Sequence, residues 1–185
     1  MFQAQTLETA LYICFMAPKR FDWVPSAYSD NMQNIIIREA TLADMDTLLQ
    51  FEQGVISAER PFDPTLKDSN AKYYDLDEFI TAPHIYLVVA EWDGELIGSG
   101  YSRIETSKIY LKHQQHAYLG FMYVVPQHRG KGVNKLIIDT LKDWSVKQGV
   151  TEFRLQVYYQ NAPAIKAYEK VGFTSHMIEM RMGLS

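Results

Sequence analysis

Hydrophobic and polar positions follow two rhythms along most of the chain, and one of them predicts strands. "NIIIREA" carries a β-branched run at 35–37, and "HIYLVVAEW" and "LIGSGYSRI" flank Asp93-Gly94, a dipeptide typical of tight hairpin turns. "HAYLGFMYVV" is continuously apolar, which predicts a fourth strand buried on both faces. "FRLQVYY" and "FTSHMIEMRM" are predicted as the last two strands.

The other rhythm is helical. Thr41 is an N-cap candidate for a first helix that ends near Gly54, and "AKYYDLDEFI" returns to helical spacing after a loop with two prolines. A third helix has apolar residues at Val133, Ile137, Leu141 and Trp144, and a fourth runs from about Pro163 to Val171. The predicted order is β-α-α-β-β-β-α-β-α-β. Because hairpins and strand-helix-strand units are mixed, the sequence predicts an α+β fold around a mixed sheet.

Residues 1–33 follow neither rhythm. The segment "PKRFDWVPSAYSDN" combines two prolines with Ser, Asn and Asp among bulky aromatics. A chain of 185 residues is long enough for one buried core and too short for two ordinary domains. We therefore expect an N-terminal extension, 1–33, followed by one domain, 34–185.

Composition narrows the classes of partner. The 18 Lys and Arg against 22 Asp and Glu give a net charge of -4, so no general positive field favours nucleic acid. Cys14 is the single cysteine, which excludes an intramolecular disulfide and a cysteine zinc site and fits a reducing compartment. "ALYICFMAP" lacks a basic leader region and is too short to span a bilayer. We expect a cytoplasmic protein without metal, membrane or nucleic acid; dimers are common at this size, and the sequence leaves the oligomeric state open.

A glycine-rich turn stands between the fourth strand and the third helix. In "VVPQHRGKGVNKLII", Gly130 and Gly132 remove the side chains that would keep backbone N–H groups from converging on an anion. His128, Arg129 and Lys131 add positive charge. The spacing matches neither a Walker A loop nor a dinucleotide fingerprint. Taken alone, the turn is either a phosphate site or a solvated basic entry to a helix.

Two motifs resemble the GNAT acetyltransferase superfamily. The six residues 127–132 resemble its acyl-coenzyme A pattern of Gln or Arg, two residues, Gly, one residue and Gly. One strand later, "NAPAIKAYEKVGF" is similar to its second signature at Asn161, Ala164, Tyr168, Gly172 and Phe173. The resemblance covers about 34–185. It implies a GNAT-like, mostly antiparallel central sheet flanked by helices, and acetyl-coenzyme A as co-substrate of an N-acetyltransferase.

The resemblance also implies a coenzyme site. In this family the backbone of the fourth strand pairs with the pantetheine arm, and strand alternation predicts that Met122 and Val124 share one face and Tyr123 the other. The expected coenzyme-binding residues are Met122, Tyr123, Val124, Gln127, His128, Arg129, Gly130, Lys131, Gly132, Val133 and Asn161.

Acyl transfer needs a proton for the departing thiolate, and Tyr168 is the expected general acid. A phenol with a reference pKa of ~10 is protonated at neutral pH and can hydrogen-bond a thiolate whose conjugate acid lies near ~8.5. The general base is less evident: Glu105 or His116 flank the strand ends, and water is an alternative. Because Cys14 lies outside the matched region, we expect direct attack in a ternary complex and not a cysteine-bound intermediate.

The acceptor is expected at "SAERPFDPTLKD", a loop that varies within the family. Glu59, Arg60, Phe62 and Asp63 could bind a primary amine of a small molecule, an amino acid or a peptide N-terminus, although loop solubility explains the same charges. Two other interpretations stay open. A non-catalytic acyl-coenzyme A-binding or regulatory module would explain the absence of an evident base, and a nucleic-acid-binding domain would use the basic turn, against the net charge.

Overall fold

A computed structural model of the chain describes residues 34–184. The predicted extension, 1–33, lies outside the described residues. The strands are β1 (Ile35–Glu39), β2 (Ile85–Trp92), β3 (Glu95–Thr106), β4 (Gln115–Val124) and β5 (Phe153–Arg154). The helices are α1 (Met45–Glu59), α2 (Leu76–Thr81), α3 (Val133–Lys147) and α4 (Ala162–Lys170). Short 3-10 turns at Leu42–Asp44 and Pro126–His128 precede α1 and α3.

The five strands form one sheet in the order β1-β2-β3-β4-β5. Consecutive strands from β1 to β4 pair antiparallel, and β5 runs parallel to β4. The hairpin predicted at Asp93-Gly94 joins β2 to β3, with both residues at positive φ. The predicted α+β class with a mixed, mostly antiparallel sheet is confirmed.

Helices cover both faces of the sheet, because each has one apolar stripe. On one face, α1 buries Leu48, Phe51 and Val55 against β2, β3 and β4, together with α2. On the other face, α3 buries an apolar stripe that begins at Val133 and ends at Leu141. No helix within residues 34–184 is long and apolar enough to cross a membrane.

Two of the predicted strands differ from the structure. β5 ends at Arg154, so the strand predicted for "FRLQVYY" is wrong beyond its first two residues. The strand predicted for "FTSHMIEMRM" is also wrong, since residues 174–184 have no secondary structure and make no backbone hydrogen bond within residues 34–184. The alternating pattern is present there, but a strand also needs a neighbouring edge to pair with.

β4 contains a bulge at Phe121. Tyr101 pairs with Gly120 and Ser99 with Tyr123, so Phe121 and Met122 stand opposite Gly100 alone. Phe121 has a φ of +53°, a left-handed conformation that costs a non-glycine residue about 1–2 kcal/mol. Beyond the bulge, Met122 lies on the α3 face and Tyr123 on the α1 face, as the alternation predicts.

Candidate active site

A cleft opens between β4 and β5. The two strands pair only at Ala117–Phe153 and Tyr118–Arg154. From Leu119 to Val124 the outer edge of β4 has no partner strand within residues 34–184, over about 20 Å of strand. Such an edge is a template on which an extended, amide-containing ligand can add as a further strand.

The glycine turn lies at the end of this open edge. Gly130 and Gly132 have φ values of +73° and +86°, and Gly132 is the N-cap of α3. The backbone N–H groups of residues 130–134 donate to no other group within residues 34–184. Five consecutive free donors at a helix N-terminus form a site for an anion such as a phosphate.

Arg129 connects the glycine turn to β4 through two side-chain contacts. Its Nε donates to the Val124 carbonyl oxygen at 2.9 Å, and its guanidinium lies 5.8 Å from the centre of the Tyr123 ring. His128 packs against Trp92 with ring centroids 4.9 Å apart. Gln127 is exposed and Lys131 half-buried in the same turn. The structure therefore brings the predicted loop residues together at the end of β4, and it shows that Arg129 has a structural contact as well.

The helix that follows β5 along the chain, α4, carries the second motif, and its Tyr168 packs against the core on the α3 face of the sheet. Asn161 is the N-cap of α4, and its Oδ1 accepts a hydrogen bond of 3.3 Å from the Ala164 N–H, so its side-chain amide nitrogen is the group left to meet a ligand. Tyr168 packs edge-on to Phe173 with ring centroids 6.1 Å apart, and its backbone carbonyl oxygen accepts hydrogen bonds from the N–H groups of Val171 and Phe173. Burial raises the pKa of Tyr168 to about 12, and the negative charge of Glu59 adds to the effect. Its hydroxyl is therefore protonated at neutral pH.

Glu59, the last residue of α1, faces several tyrosines. Burial raises the pKa of its carboxyl group, the adjacent Tyr73 hydroxyl partly offsets this by lowering that pKa, and nearby Asp63 raises it. The charge of Glu59 in turn contributes to the raised pKa values of Tyr73, Tyr158 and Tyr168, for which burial is the largest cause. The Tyr73 hydroxyl is buried and has no hydrogen-bond partner of ordinary geometry within residues 34–184. We call Glu59, Tyr73, Tyr158 and Tyr168 the tyrosine cluster.

The side chains of the loop after Glu59 make contacts within the loop and with residues near the C-terminus. Arg60 donates to the carbonyl oxygens of Lys67 at 2.8 Å and Asp68 at 3.2 Å, so its guanidinium braces its own loop. Phe62 stacks on Tyr158 with ring centroids 5.9 Å apart. Asp63 accepts hydrogen bonds from the Tyr158 hydroxyl and from Arg181. Of the four predicted acceptor residues, Glu59 belongs to the tyrosine cluster, Phe62 and Asp63 contact Tyr158, and Arg60 bonds within its own loop.

Glu105 and His116, the two predicted candidates for the base, form a cross-strand pair elsewhere on the sheet. His116 Nε2 lies 3.4 Å from Glu105 Oε2, and Arg103 donates to Glu105 at 2.5 Å. Burial lowers the pKa of His116, and the charge of Arg154 lowers it further. Along β4, His116 is six residues from Met122, or about 20 Å. Glu105 and His116 therefore contact each other, and they lie away from Met122 on the open edge of β4.

Two features of the site have no signal in the sequence. Phe121 lies inside an unbroken apolar run, so nothing in the sequence indicates a bulge there. Tyr73 and Tyr158 are two of 12 tyrosines, and neither belongs to a motif. Tyr158 lies 99 residues from Glu59 along the chain and Tyr73 only 14, and both meet Glu59 through tertiary packing.

Comparison with known proteins identifies the family. Residues 52–173 match the model of the acetyltransferase (GNAT) family. The chain is 29% identical over 148 residues to a thialysine N-epsilon-acetyltransferase of Sus scrofa, an alignment that covers 76% of this chain and 85% of that protein. It is 27% identical over 142 residues to an N-alpha-acetyltransferase of Sulfurisphaera tokodaii, covering 74% and 78%.

Solved structures show the same fold. A mutant of the BH1408 protein from Bacillus halodurans matches with a TM-score of 0.72 at 20% identity, covering 81% of this chain and 99% of that one. Within residues 34–184 no three His, Cys, Asp or Glu side chains are grouped so that they could hold a metal ion. Because the family model matches about two thirds of the sequence, the chain belongs to the acetyltransferase (GNAT) family and is an acetyl-coenzyme A-dependent N-acetyltransferase.

Proposed function

We propose that the protein acetylates a primary amine of a small molecule, an amino acid or a peptide N-terminus, by direct attack on acetyl-coenzyme A within a ternary complex. One observation carries the proposal: the unpaired edge of β4 leads directly into the five free N–H groups of residues 130–134. An extended, amide-containing arm that ends in a pyrophosphate fits those two features in that order.

The residues present fit the coenzyme. The N–H groups of Gly130, Lys131, Gly132 and Val133 would hold the pyrophosphate, and Gln127, His128 and Arg129 border the same turn. A side chain at Gly130 would point into open space on the turn, where the phosphates would lie. Met122, Tyr123 and Val124 would offer backbone groups to the pantetheine arm, and Asn161 its side-chain amide.

Tyr168 would act as general acid. The amine nitrogen bonds to the thioester carbonyl carbon, the carbon-sulfur bond breaks, and the sulfur leaves as a thiolate that must be stabilised and protonated. The raised pKa of Tyr168, about 12, keeps its proton in place at neutral pH, so the hydroxyl donates a hydrogen bond to the thiolate as charge develops. The proton that the amine gives up in the reaction passes to the base and solvent, and a solvent proton then converts the thiolate into the thiol of coenzyme A, so that Tyr168 keeps its own proton.

Glu59 would bind the acceptor. A half-buried carboxylate beside tyrosine rings attracts an ammonium group by charge and by cation-π contact, and Phe62 and Tyr158 supply an adjoining aromatic wall. Before attack the ammonium must lose a proton. Because burial raises the pKa of Glu59, this carboxylate is a better proton acceptor than an ordinary surface glutamate. We therefore propose Glu59 as the base in place of Glu105 or His116.

The test is thiol release from acetyl-coenzyme A with a panel of amines, amino acids and peptides, together with calorimetric titration of coenzyme A alone. We expect micromolar-range or tighter coenzyme binding and turnover with cationic primary amines. Binding without turnover on any amine would support the non-catalytic acyl-coenzyme A-binding module instead. Absence of coenzyme binding would contradict the assignment of the turn.

A further inference from the structure

An irregular segment, residues 67–74, leads from the loop after Glu59 to α2 and carries Tyr73 of the tyrosine cluster. It contains no helix or strand, and no backbone–backbone hydrogen bond joins it to any part of residues 34–184. Secondary structure therefore does not fix the place of Tyr73. Its backbone must be held by side chains of neighbouring elements.

Two neighbouring residues of α1 hold the segment by hydrogen bonds. Glu52 Oε1 accepts the backbone N–H of Tyr73 at 2.7 Å and that of Tyr74 at 2.9 Å. Gln53 Nε2 donates to the Ala71 carbonyl oxygen at 3.1 Å. One carboxylate oxygen thus binds two consecutive N–H groups, which fixes the direction of the backbone at Tyr73.

Glu52 is buried to a degree that is unusual for its residue type. Only 1% of its surface is exposed, and glutamate is almost never fully buried unless it is paired. Removal of a carboxylate from water is costly unless hydrogen bonds replace the lost solvation. The two N–H groups of the segment supply such bonds, so the place of Glu52 and that of the segment depend on each other.

The far end of the Tyr73 side chain has no comparable attachment. Its hydroxyl group is buried, lies adjacent to Glu59 and has no hydrogen-bond partner of ordinary geometry within residues 34–184. The Tyr73 ring packs edge-on to the Tyr74 ring with centroids 5.9 Å apart. The position of the hydroxyl beside Glu59 is therefore set by the backbone at Tyr73 and by ring packing.

We propose that Glu52 is a positioning residue of the acceptor site, which holds Tyr73 beside Glu59 by binding the backbone N–H groups of Tyr73 and Tyr74. Glu52 and Glu59 are two turns apart on α1, so they lie on the same side of the helix, about 10 Å apart along its axis. The segment contacts Glu52 through its backbone and Glu59 through the Tyr73 side chain. This inference rests on the proposed function, in which Glu59 binds the acceptor amine.

The expected consequence is confined to the acceptor amine. Without the Glu52 bonds Tyr73 can move away from Glu59, and water then solvates the carboxylate and weakens its attraction for an ammonium group. Tyr74 stays in place, because its ring also packs against Phe121 with centroids 4.6 Å apart. The bulge of β4 and the glycine turn are therefore expected to keep their shape.

Amide hydrogen exchange, followed by NMR on the full chain without ligand, tests the positioning directly. In Glu52→Ala the amide protons of Tyr73 and Tyr74 should exchange at least about tenfold faster than in the parent, because both lose their hydrogen-bond acceptor. Glu52→Gln keeps an oxygen at the same place and should restore most of the protection. Val150→Ala, which shortens a buried side chain on the α3 face, controls for a general loss of stability.

Steady-state kinetics test the consequence, with the amine of the panel that the parent acetylates with the highest kcat/KM. Glu52→Ala should raise the KM for that amine about tenfold, while the calorimetric Kd for coenzyme A changes less than about twofold. Glu52→Gln should have a nearly parental KM. Because Glu52 acts through Tyr73, the double variant Glu52→Ala with Tyr73→Ala should be no worse than Tyr73→Ala alone.

Glu52→Asp provides a second variant if the alanine variant does not fold. It keeps the carboxylate but shortens the side chain by one methylene group, so the exchange rates and the KM for the amine should change in the same direction by a smaller factor.

Three results would overturn the proposal. The Tyr73 and Tyr74 amides could exchange at the parental rate in the folded variants. The KM for the amine and the Kd for coenzyme A could rise together, which would indicate a general loosening of the fold. Or the effects of Glu52→Ala and Tyr73→Ala could simply add. If the parent acetylates no amine, the proposed function fails, and the exchange rates still decide whether Glu52 fixes the position of Tyr73.

Discussion

The buried hydroxyl of Ser99 donates a hydrogen bond of 3.1 Å to the carbonyl oxygen of Phe121, the β4 residue with a φ of +53°. This bond holds Phe121 to β3 in the part of β4 that lies beyond its last pair with β5. It thereby connects the packing of the sheet to the shape of the cleft between β4 and β5, where we propose that the coenzyme binds.

Ser99→Ala should weaken both stability and coenzyme binding. It leaves the Phe121 carbonyl oxygen without its buried donor, which should lower the free energy of unfolding by about 1–3 kcal/mol. Because that bond supports the bulge, coenzyme A should also bind more weakly by calorimetry. Ser102→Ala is the matched control, since it removes a buried β3 hydroxyl that bonds Ser145, away from the cleft. Equal coenzyme affinity in the two variants would show that the bulge does not contribute to coenzyme binding.

Gly130→Ala and Gly149→Ala form a second matched pair. Both glycines have positive φ, +73° and +82°, and a Cβ atom at either would meet no atom within 4 Å. Each substitution should therefore destabilise the fold by a similar amount, about 1–2 kcal/mol. Only Gly130→Ala obstructs the free N–H groups of the turn, so we expect at least tenfold weaker coenzyme binding, about 1.4 kcal/mol, for that variant alone. Unchanged affinity would mean that the turn binds no phosphate.

Tyr168→Phe keeps the ring that packs against Phe173 and removes only the hydroxyl. Loss of a positioned proton donor costs about 10²- to 10⁴-fold in rate, so kcat should fall by that range while the KM for acetyl-coenzyme A changes little. Steady-state kinetics with a chemical step shown to be rate-limiting provide the measurement. A variant that turns over at the parental rate would assign the phenol to packing only.

Glu59→Gln compared with Glu105→Gln decides between the two carboxylates. Glu59→Gln should lower kcat/KM for a cationic amine about 10²-fold or more, and Glu105→Gln should leave it nearly unchanged. Burial raises the pKa of Glu59, so its active, ionised form is lost on acidification at a higher pH than for an ordinary glutamate near ~4.3. The fall in kcat/KM at low pH that comes from protonation of Glu59 should be absent from the pH profile of Glu59→Gln. The reverse ranking of the variants would restore Glu105 as the candidate.

The ion pair between Arg38 and Asp44 should account for part of the stability that the fold loses at low pH. Arg38 donates to both Asp44 carboxylate oxygens, at 2.9 and 2.8 Å, and this lowers the pKa of Asp44 to about 2. A depressed carboxyl pKa stabilises the fold above its unfolded value of ~3.9, and that contribution is lost as the pH falls toward 2. Chemical unfolding of Asp44→Asn should therefore show a smaller loss of stability between these pH values than the parent. Asp143→Asn, on the exposed side of α3, should behave as the parent.

The conformation of the glycine turn and the flanking helices could be predicted because their causes are local. Glycine spacing and a helix start are properties of a few adjacent residues, and the apolar stripe from Val133 to Leu141 follows from one helix and one face. The α+β class followed in the same way from the hairpin at Asp93-Gly94 and the order of patterns.

The bulge and the tyrosine cluster could not be predicted, because their causes are tertiary. Phe121 takes a left-handed conformation only because β3 pairs with β4 on both sides of it. Tyr158 reaches the loop after Glu59 only once the sheet and α1 are assembled. The prediction of a final strand was wrong for a related reason. Alternation in residues 174–184 specifies which side chains share a face, but it does not specify a neighbouring strand with which the backbone could pair.

Phe121 also has a consequence for changes in chain length. Since Gly120 and Tyr123 pair with consecutive odd positions of β3, removing Phe121 alone would leave Met122 opposite Gly100, with every other pair and every other side-chain face as it is now. β4 is therefore one residue longer than its pairing to β3 needs. A single-codon deletion at this position is compatible with an intact β3–β4 ladder, whereas it would straighten the strand where the cleft opens. Such a deletant would be the direct way to ask how much of the fold survives without the cleft.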